Sequence, residues 1–355
     1  MKILITGICG FVGSVLALEL KRRMEGVELL GLDNLSRPGS EQNRRSLQQQ
    51  GIRFLHGDVR NPSDLEALPK TDWVIDAAAN PSVLAGVSEA ASSRQLMEHN
   101  LIGTLHLLEY CKRHGAGVVM LSTSRVYSLA RLRALPLDTR DNAFIPRWAG
   151  AAEPGLSAQG VTEAFSTQPP LSLYGAAKLA SELLALEYGA AFGLPTHINR
   201  CGVLAGAGQF GKADQGIFSF WIHSYCRRRP LKYIGFDGAG SQVRDALHPR
   251  DLAALVAVQL RHPEKSGKIL NLGGGLANSL SLAQLSRWCA GRFGAHAVQA
   301  EPANRRFDVP WLVLDSNRAS LEWDWKPLTP LDSILEEIAR HAEQHPEWVE
   351  LSNGG

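Results

Sequence analysis

Short apolar, β-branched runs alternate with longer stretches of helical period through the first part of the chain. Lys2–Thr6 is the first run and ends in a glycine-rich loop. From Phe11 to Arg23 the apolar residues then recur at helical spacing, so the opening predicts strand, loop, helix. Val27–Leu32 supplies the next strand, with others near Arg53–Leu55, Trp73–Ile75, Val118–Leu121 and Thr196–Arg200. Helices are predicted over Gln95–Arg113 and Tyr174–Phe192. Alternation of this kind predicts an α/β chain built on a doubly wound parallel sheet.

Two stretches break the pattern. Ser128 to Pro170 is rich in Ala, Gly, Pro and Ser and reads as a long connection of the sort that covers a site. Beyond residue 200 the composition is less regular: aromatic and basic residues mix through Phe218 to Arg229, and glycines cluster at Gly235–Gly240. The expected division is a first domain over residues 1–200, including the helix from Tyr174. A smaller mixed lobe follows over 201–355, with some of its segments returning to the first domain. No internal repeat is visible, and the closing SNGG reads as frayed.

Composition narrows the classes. A chain of 355 residues can bury a full core, and 45% hydrophobic and 20% charged residues are ordinary for a globular protein. A formal net charge of +2 leaves no strong field for nucleic acid or a membrane surface. The five cysteines (Cys9, Cys111, Cys201, Cys226, Cys289) are odd in number and scattered, without a CxxC pair or a zinc-like spacing. They are expected to be reduced, mostly buried thiols, and no metal site is predicted. The opening MKILITGICGFVGS runs straight into a strand and glycine loop, and no run reaches the roughly twenty apolar residues of a membrane-spanning helix. A soluble, cytoplasmic protein is expected.

The loop itself carries chemistry. Gly7, Gly10 and Gly13 form GxxGxxG between a predicted strand and a predicted helix. Glycines at this spacing let the backbone turn tightly, approach a pyrophosphate and pack the helix on the sheet, while the helix aims its positive end at the phosphates. Asp33 follows about twenty residues on, at the end of the second strand, where a carboxylate accepts hydrogen bonds from ribose hydroxyls. Together they predict a Rossmann-type site for NAD, since the charge of Asp33 would repel a 2'-phosphate. Arg37 is either an answer to a phosphate or a solvated loop charge. Asp58, in HGDVRN, contacts the adenine amino group or serves as a turn or cap residue. Cys9, Phe11, Val12, Asn34, Ser36 and Val59, next to these positions, complete this part of the candidate cofactor set.

Tyr174 and Lys178 stand in YGAAK, a spacing that puts both side chains on one face of a helix, one turn apart. A free phenol, with a pKa of about 10, is a poor base at neutral pH, and a nearby ammonium favours its phenolate. Downstream of a dinucleotide loop the pair is a candidate catalytic base. The strand before the long connection ends LSTSRVYS, and Thr123, among the hydroxyls of Ser122, Thr123 and Ser124, is the candidate to hydrogen-bond a substrate oxygen.

These residues resemble the extended short-chain dehydrogenase/reductase superfamily of nucleotide-sugar enzymes, which combines GxxGxxG, an asparagine in a helix, a Ser/Thr strand end and YxxxK. The resemblance covers nearly the whole chain. It implies that Asn100, in HNLIGTLHLLE, flanks the cofactor, that Ala77, Ala78 and Ala79 pass beneath it, and that Thr123, Tyr174 and Lys178 are catalytic. DNLSRPG, STSRVY, AGQFGKADQG, GSQVRDALH and NLGGGLANSLSL further resemble the CDP-hexose 2-epimerases within that superfamily. They imply an NAD-dependent epimerase that inverts carbon-2 of a nucleotide-linked hexose through a transient keto-sugar and bound NADH. The superfamily's 4,6-dehydratases carry an Asp-Glu pair after the catalytic Thr, where this chain has Ser124 and Arg125.

A diphosphate needs cations, and Arg244 is the first choice, with Asp245 and His248 as support. Arg200 and Arg305 are weaker candidates, open to plain ion-pair or surface roles. Asn80, Ser124, Arg125, Gln209, Asp214 and Gln215 complete the candidate substrate set, while Phe218, Phe220 and Trp221 read as core. The resemblance departs at Asn80, where relatives usually carry Gln or His, and at Pro310, where they carry an Arg; Asp308 and Asp315 are kept. An NAD(P)-dependent sugar reductase or dehydrogenase, a 4-epimerase and a catalytically silent dinucleotide-sensing scaffold remain as alternatives. A homodimer or homotetramer is expected through the helices Gln95–Arg113 and Tyr174–Phe192.

Overall fold

The structure, a computed structural model, describes residues 1–87, 92–147, 153–303 and 305–353. Seven strands make the main sheet: β1 (Lys2–Thr6), β2 (Glu28–Asp33), β3 (Arg53–His56), β4 (Trp73–Asp76), β5 (Gly117–Thr123), β6 (Thr196–Cys201) and β7 (Lys268–Leu272). Their order is β7-β6-β5-β4-β1-β2-β3, and β1 pairs in parallel with both β2 and β4, as β2 does with β3 and β4 with β5. The chain therefore starts mid-sheet and winds outward in both directions, which is the doubly wound α/β topology the alternation predicts. Ile3, Leu4, Ile5 and Thr6 of β1 are all fully buried, as a strand covered on both faces must be.

Helices α1 (Phe11–Arg23), α2 (Ser40–Gln49), α3 (Pro62–Glu66), α4 (Ser93–Met97), α5 (Gly103–His114), α6 (Leu173–Phe192) and α7 (Pro249–Gln259) accompany this sheet. Leu4, Leu30, Val74, Leu107, Leu108, Val118, Met120 and Ile198 belong to one buried cluster among them. By contacts, the first unit of the chain comprises residues 1–123, 173–200 and 249–270.

The second unit comprises 124–172, 201–248 and 271–355. Val243–Leu247 is its central strand, paired in parallel with Val203–Leu204 and Trp311–Leu312 and antiparallel with Ser279–Ser281. Helices Ile217–Cys226, Leu282–Phe293 and Leu331–Gln344 supply much of its core. Phe218 and Trp221 are buried there, and the Trp221 indole donates to Ser286 at 2.9 Å.

Three local expectations change. The helix expected over Gln95–Arg113 is interrupted by a π-helical turn, Glu98–Ile102, between α4 and α5. Hydrophobic period does not register one residue inserted into a turn. The connection from Ser128 to Pro170 carries structure of its own: a helix Leu129–Arg133 and antiparallel pairs at Leu137–Pro146 and Leu156–Val161, with residues 148–152 outside the described ones. The expected frayed end is helical as far as Asn353, because Ser352 is fully buried and donates to the Trp348 carbonyl at 2.7 Å; residues 354–355 lie outside the described ones. All five cysteines are free, four buried and Cys226 half-buried. Among the described residues no helix is long and apolar enough to cross a membrane.

Candidate active site

The glycine loop is built by close backbone approach. Gly7 has φ +63°, and a Cβ there would lie 2.8 Å from the Ala78 Cα and 2.9 Å from the Ala77 carbonyl. A Cβ on Gly13 would lie 2.2 Å from the Gly7 carbonyl oxygen. Only glycine fits either position. The Gly10 amide donates to that same Gly7 carbonyl at 3.0 Å, closing the turn that opens α1. No side chain caps α1, and its first turn holds no acidic residue, so its positive end is open to an anion without competition from its own sequence. Phe11 is buried in that first turn, beside half-buried Val12.

Asp33 ends β2 next to this loop. Its carboxylate accepts from the Cys9 amide at 2.9 Å and the Leu35 amide at 2.8 Å. Burial raises its pKa, against those two amides. Cys9 is pushed up to about 12, first by burial and then by the charge of Asp33, so its thiol stays protonated. Asn34 turns back to accept from the Ser36 amide at 3.0 Å and donates to Asp58 at 2.9 Å. Arg37 follows, half-buried. Asp58 also takes a bidentate grip from Arg60, whose hydrogen bonds hold that carboxyl well below the usual range against burial. An open cleft lined by Asp58, Arg60, Asn61, Pro62, Glu98 and Ile102 adjoins it. Buried Val59 meets the Cα side of Gly103 at the start of α5.

The end of β4 is fixed from two sides. Thr6 donates to Asp76 at 3.2 Å and accepts from the Ala78 amide at 3.2 Å, which sets Ala77–Ala79 against Gly7. Asn100, buried in the π turn, accepts from the Asn80 amide at 2.8 Å and donates to the Asn80 carbonyl at 3.0 Å. The π turn in turn presents the Asn100 carbonyl to Ser181 of α6 at 2.9 Å. Tyr174 and Lys178, both buried, lie one turn apart at the start of α6, and half-buried Thr123 ends β5. All three belong to the first unit.

In the second unit, Ser124 and Arg125 open a 3-10 turn directly after Thr123. Arg244 sits on the central strand and donates to Asp308 Oδ1 and the Val309 carbonyl, each at 2.7 Å. Burial lowers its pKa against the opposing charges of Asp308 and Asp245. Arg305, three residues before Asp308, donates to the Ala213 carbonyl at 2.8 Å. The segment 305–309 thus gathers Arg244, Arg305 and the loop holding Asp214 and Gln215. Gln209 lies against Gly216 beside that loop: its side-chain amide donates to the Leu204 carbonyl, and its own backbone carbonyl accepts from Trp348 and Ser219. Asp245 accepts from the Gly275 and Leu314 amides, and burial raises it to about 6. His248 meets Glu337 at 3.3 Å. The Pro310 carbonyl accepts from the Val243 amide at 2.9 Å, within the sheet.

The family described as "NAD dependent epimerase/dehydratase family" matches residues 3–273. The chain belongs to that family. CDP-paratose 2-epimerase of Salmonella typhi is 31% identical over 340 residues, covering 92% of this chain and 95% of that protein. UDP-glucuronate 4-epimerase of Thermodesulfobacterium geofontis is 26% identical over 355 residues, covering 98% and 97%. Among solved structures, UDP-glucuronic acid 4-epimerase from Bacillus cereus, in complex with UDP-glucuronic acid and NAD, superimposes with a TM-score of 0.78. It covers 97% of this chain and 99% of that one at 24% identity, a likeness of fold.

NAD, the cofactor of this epimerase family, fits the first unit. Gly7 and Gly13 let the loop close against Ala77, Ala78 and the head of α1, the uncapped end of α1 suits a pyrophosphate, and Asp33 presents a carboxylate beside them.

Several residues that shape this site escape the sequence pattern. Thr6, Asp76, Thr104 and Ser181 are buried polar side chains joining β1, β4, α5 and α6. Asn43 of α2 donates to the Cys9 carbonyl at 2.9 Å. Ser122 and Arg200 both bind buried Glu182 of α6. Ser122 and Arg200 stand among the sequence candidates for other roles, and Glu182 carries a signal of its own, one helical turn beyond Lys178 on the face of Tyr174.

Proposed function

We propose that the protein epimerises a nucleotide-diphosphate hexose, with carbon-2 of a CDP-linked sugar as the inverted centre. The pairing of Tyr174 with Lys178 on α6, beside a strand that ends in Thr123, carries this reading. Tyr174 takes the proton from a sugar hydroxyl, Lys178 favours its phenolate, and Thr123 steadies the oxygen as it becomes a ketone. NAD, when bound, supplies the acceptor and then the donor of one hydride. Tyr174 returns its proton after the keto-sugar has turned its other face. Ser124 and Arg125, next after Thr123, offer no carboxylic acid to protonate a leaving hydroxyl, which disfavours dehydration.

The cofactor rests, in this reading, on Gly7–Gly13, Asp33–Arg37, Asp58, Val59, Ala77–Ala79 and Asn100. Arg244 binds the diphosphate, with Arg305, Asp214 and Gln215 towards the nucleotide or sugar. The carbon and the base are supported by the 31% likeness to CDP-paratose 2-epimerase. The UDP-sugar 4-epimerases among the relatives favour a second reading, in which carbon-4 of a UDP-sugar is inverted. Leu183 of α6 and Ile102 of the π turn are exposed apolar residues of the first unit, and they support a homodimer through these helices. Free, mostly buried cysteines suit a reducing compartment such as the cytoplasm.

The test is to denature purified protein and identify the released dinucleotide, then to offer the intact enzyme CDP-, UDP-, GDP- and dTDP-hexoses deuterated at the carbon under test. Inversion of the CDP-sugar at carbon-2 with deuterium retained and no net change in NADH is expected. Tyr174→Phe should lower kcat by about a thousandfold. Exchange of the label with solvent would sink the hydride route, and inversion confined to a UDP-sugar at carbon-4 would establish the second reading.

A further inference from the structure

The helical face that carries Tyr174 and Lys178 continues one turn further, to Glu182. This carboxylate is fully buried, yet it is not left for Lys178 to pair with. Arg200, near the end of β6, meets it as a fork: Nε lies 3.0 and 3.2 Å from the two carboxylate oxygens, and a second guanidinium nitrogen lies 2.6 Å from Oε2. Ser122, the residue before Thr123, donates its hydroxyl to Oε1 of the same group. Both oxygens of Glu182 are thereby engaged from the sheet side.

The setting matters because residues four apart on a helix are within side-chain reach, and attraction between opposite charges grows as water is excluded. A carboxylate held loosely at 182 would draw the Lys178 ammonium away from the Tyr174 phenol. Other charged groups on elements packed against α6 are held elsewhere: His106 lies against the Val59 carbonyl, Arg113 reaches Glu66 and His114 packs on the Tyr110 ring. Glu98 pairs with Arg94, Glu109 with Tyr188 and Lys112, His99 lies against the Gln95 carbonyl, and Asp76 is taken up by Thr6 and Thr104. With Arg200 matching Glu182, the charge of Lys178, one helical turn from Tyr174, is not drawn off by that carboxylate.

We propose that Arg200 is a positioning residue which, by holding Glu182 to the sheet, reserves the charge of Lys178 for Tyr174. This rests on the assignment of Tyr174 and Lys178 made above. It differs from a purely structural ion pair, which would affect folding and leave the ionisation of Tyr174 where it was.

The experiment follows the ionisation of Tyr174 in the NAD-loaded enzyme by ultraviolet difference absorbance against Tyr174→Phe, together with the pH profile of kcat. In Arg200→Met, the freed carboxylate captures Lys178, so the Tyr174 midpoint and the acidic limb of kcat both move alkaline by about one pH unit while KM stays put. The double variant Arg200→Met with Glu182→Gln removes the competitor and returns both to the native position, and Arg200→Lys, which keeps the charge, shows little of the shift. An unmoved midpoint in folded Arg200→Met, or a shift that persists in the double variant, overturns the proposal. If Arg200→Met does not fold, Glu182→Gln carries the test: Arg200 is then unopposed and the midpoint moves acidic, and an unmoved midpoint overturns the proposal equally. The absorbance titration needs no sugar, so it judges Arg200 separately from the epimerase reading, which fails on its own if Tyr174→Phe keeps native kcat.

Discussion

Gly13→Ala should nearly abolish NAD binding while leaving most of the fold in place. The added Cβ would stand 2.2 Å from the Gly7 carbonyl oxygen, 2.8 Å from the Ile8 Cα and 2.9 Å from the Gly7 carbonyl carbon. All three are backbone atoms, so no rotamer change relieves the overlap, and α1 must retreat from the loop by roughly 1 Å to restore van der Waals contact. The Gly7 carbonyl cannot give way instead, because it accepts the Gly10 amide at 3.0 Å and so holds the turn. Overpacking of this kind costs about 1–3 kcal/mol of stability. The larger effect falls on the cofactor. Amides at the head of α1 lose their aim at a pyrophosphate, and a loss of about 3 kcal/mol in binding is about a hundredfold in Kd. Calorimetric titration of the apo-protein with NAD, beside a thermal melt, separates the two effects. Gly26→Ala is the control for backbone strain alone, since Gly26 has φ +68° with nothing within 4 Å of a Cβ. It should lower stability by about 1 kcal/mol and leave NAD affinity intact. Gly13→Ala protein that binds NAD within about threefold of native would refute the argument that backbone contact sets the height of α1.

Two further outcomes concern stability and assembly. Asp245 has a folded pKa of about 6, so over roughly pH 4 to 6 the folded protein keeps a proton that the unfolded chain has lost, and its contribution to stability falls as pH rises through that window. Asp245→Asn, whose carbonyl can still accept the Gly275 and Leu314 amides, should gain up to about 3 kcal/mol at pH 7 and progressively less towards pH 4. A melt showing equal gain at both pH values contradicts this. Leu183 is 59% exposed on α6, and Leu183→Glu should shift a dimer to monomer in analytical ultracentrifugation without changing the melt of the isolated subunit. Retention of native mass would remove that face from the interface.

The parts of the fold visible in the sequence are those where one physical demand dictates residue type. Strands covered on both faces must be apolar, so β1 and β4 stand out as runs. The glycine loop stands out because Gly7 and Gly13 admit no side chain. The stretch from Ser128 to Pro170 misleads for the opposite reason. Its hairpins are short, and strands such as Leu156–Ser157 are set by pairing with Gly160–Val161 rather than by any period of their own. The closing helix misleads likewise: Ser352 is polar and near the end of the chain, yet its burial depends on the packing of Trp348 and Val349, both buried beside it.

The site itself shows why its second tier stays hidden. Glu182, Ser181, Thr104 and Asp76 would each pass in a sequence for a solvated residue, because polar side chains are mostly exposed, and Asn100 and Arg200, though marked there, do not show their partners. Here each is buried and bonded, and the bonds that join one element to another follow no fixed spacing: Ser122 and Glu182 are sixty residues apart, Asn80 and Asn100 twenty. Their burial follows from the topology. Parallel strands end together, and the chain leaving each strand carries amides and carbonyls no longer satisfied by the ladder. Side chains from neighbouring helices must satisfy them, as Asn100 does for both backbone groups of Asn80 and Thr6 does for the Ala78 amide. The π turn is part of the same solution, since its wider coil offers the Asn100 carbonyl to Ser181 while the side chain faces Asn80. A frame of this kind has little tolerance for replacing one member, because the partner left behind is a buried, unpaired polar group. Compensating pairs, such as joint replacement of Arg200 and Glu182, are therefore the substitutions that can separate what the frame does for the fold from what it does for Tyr174.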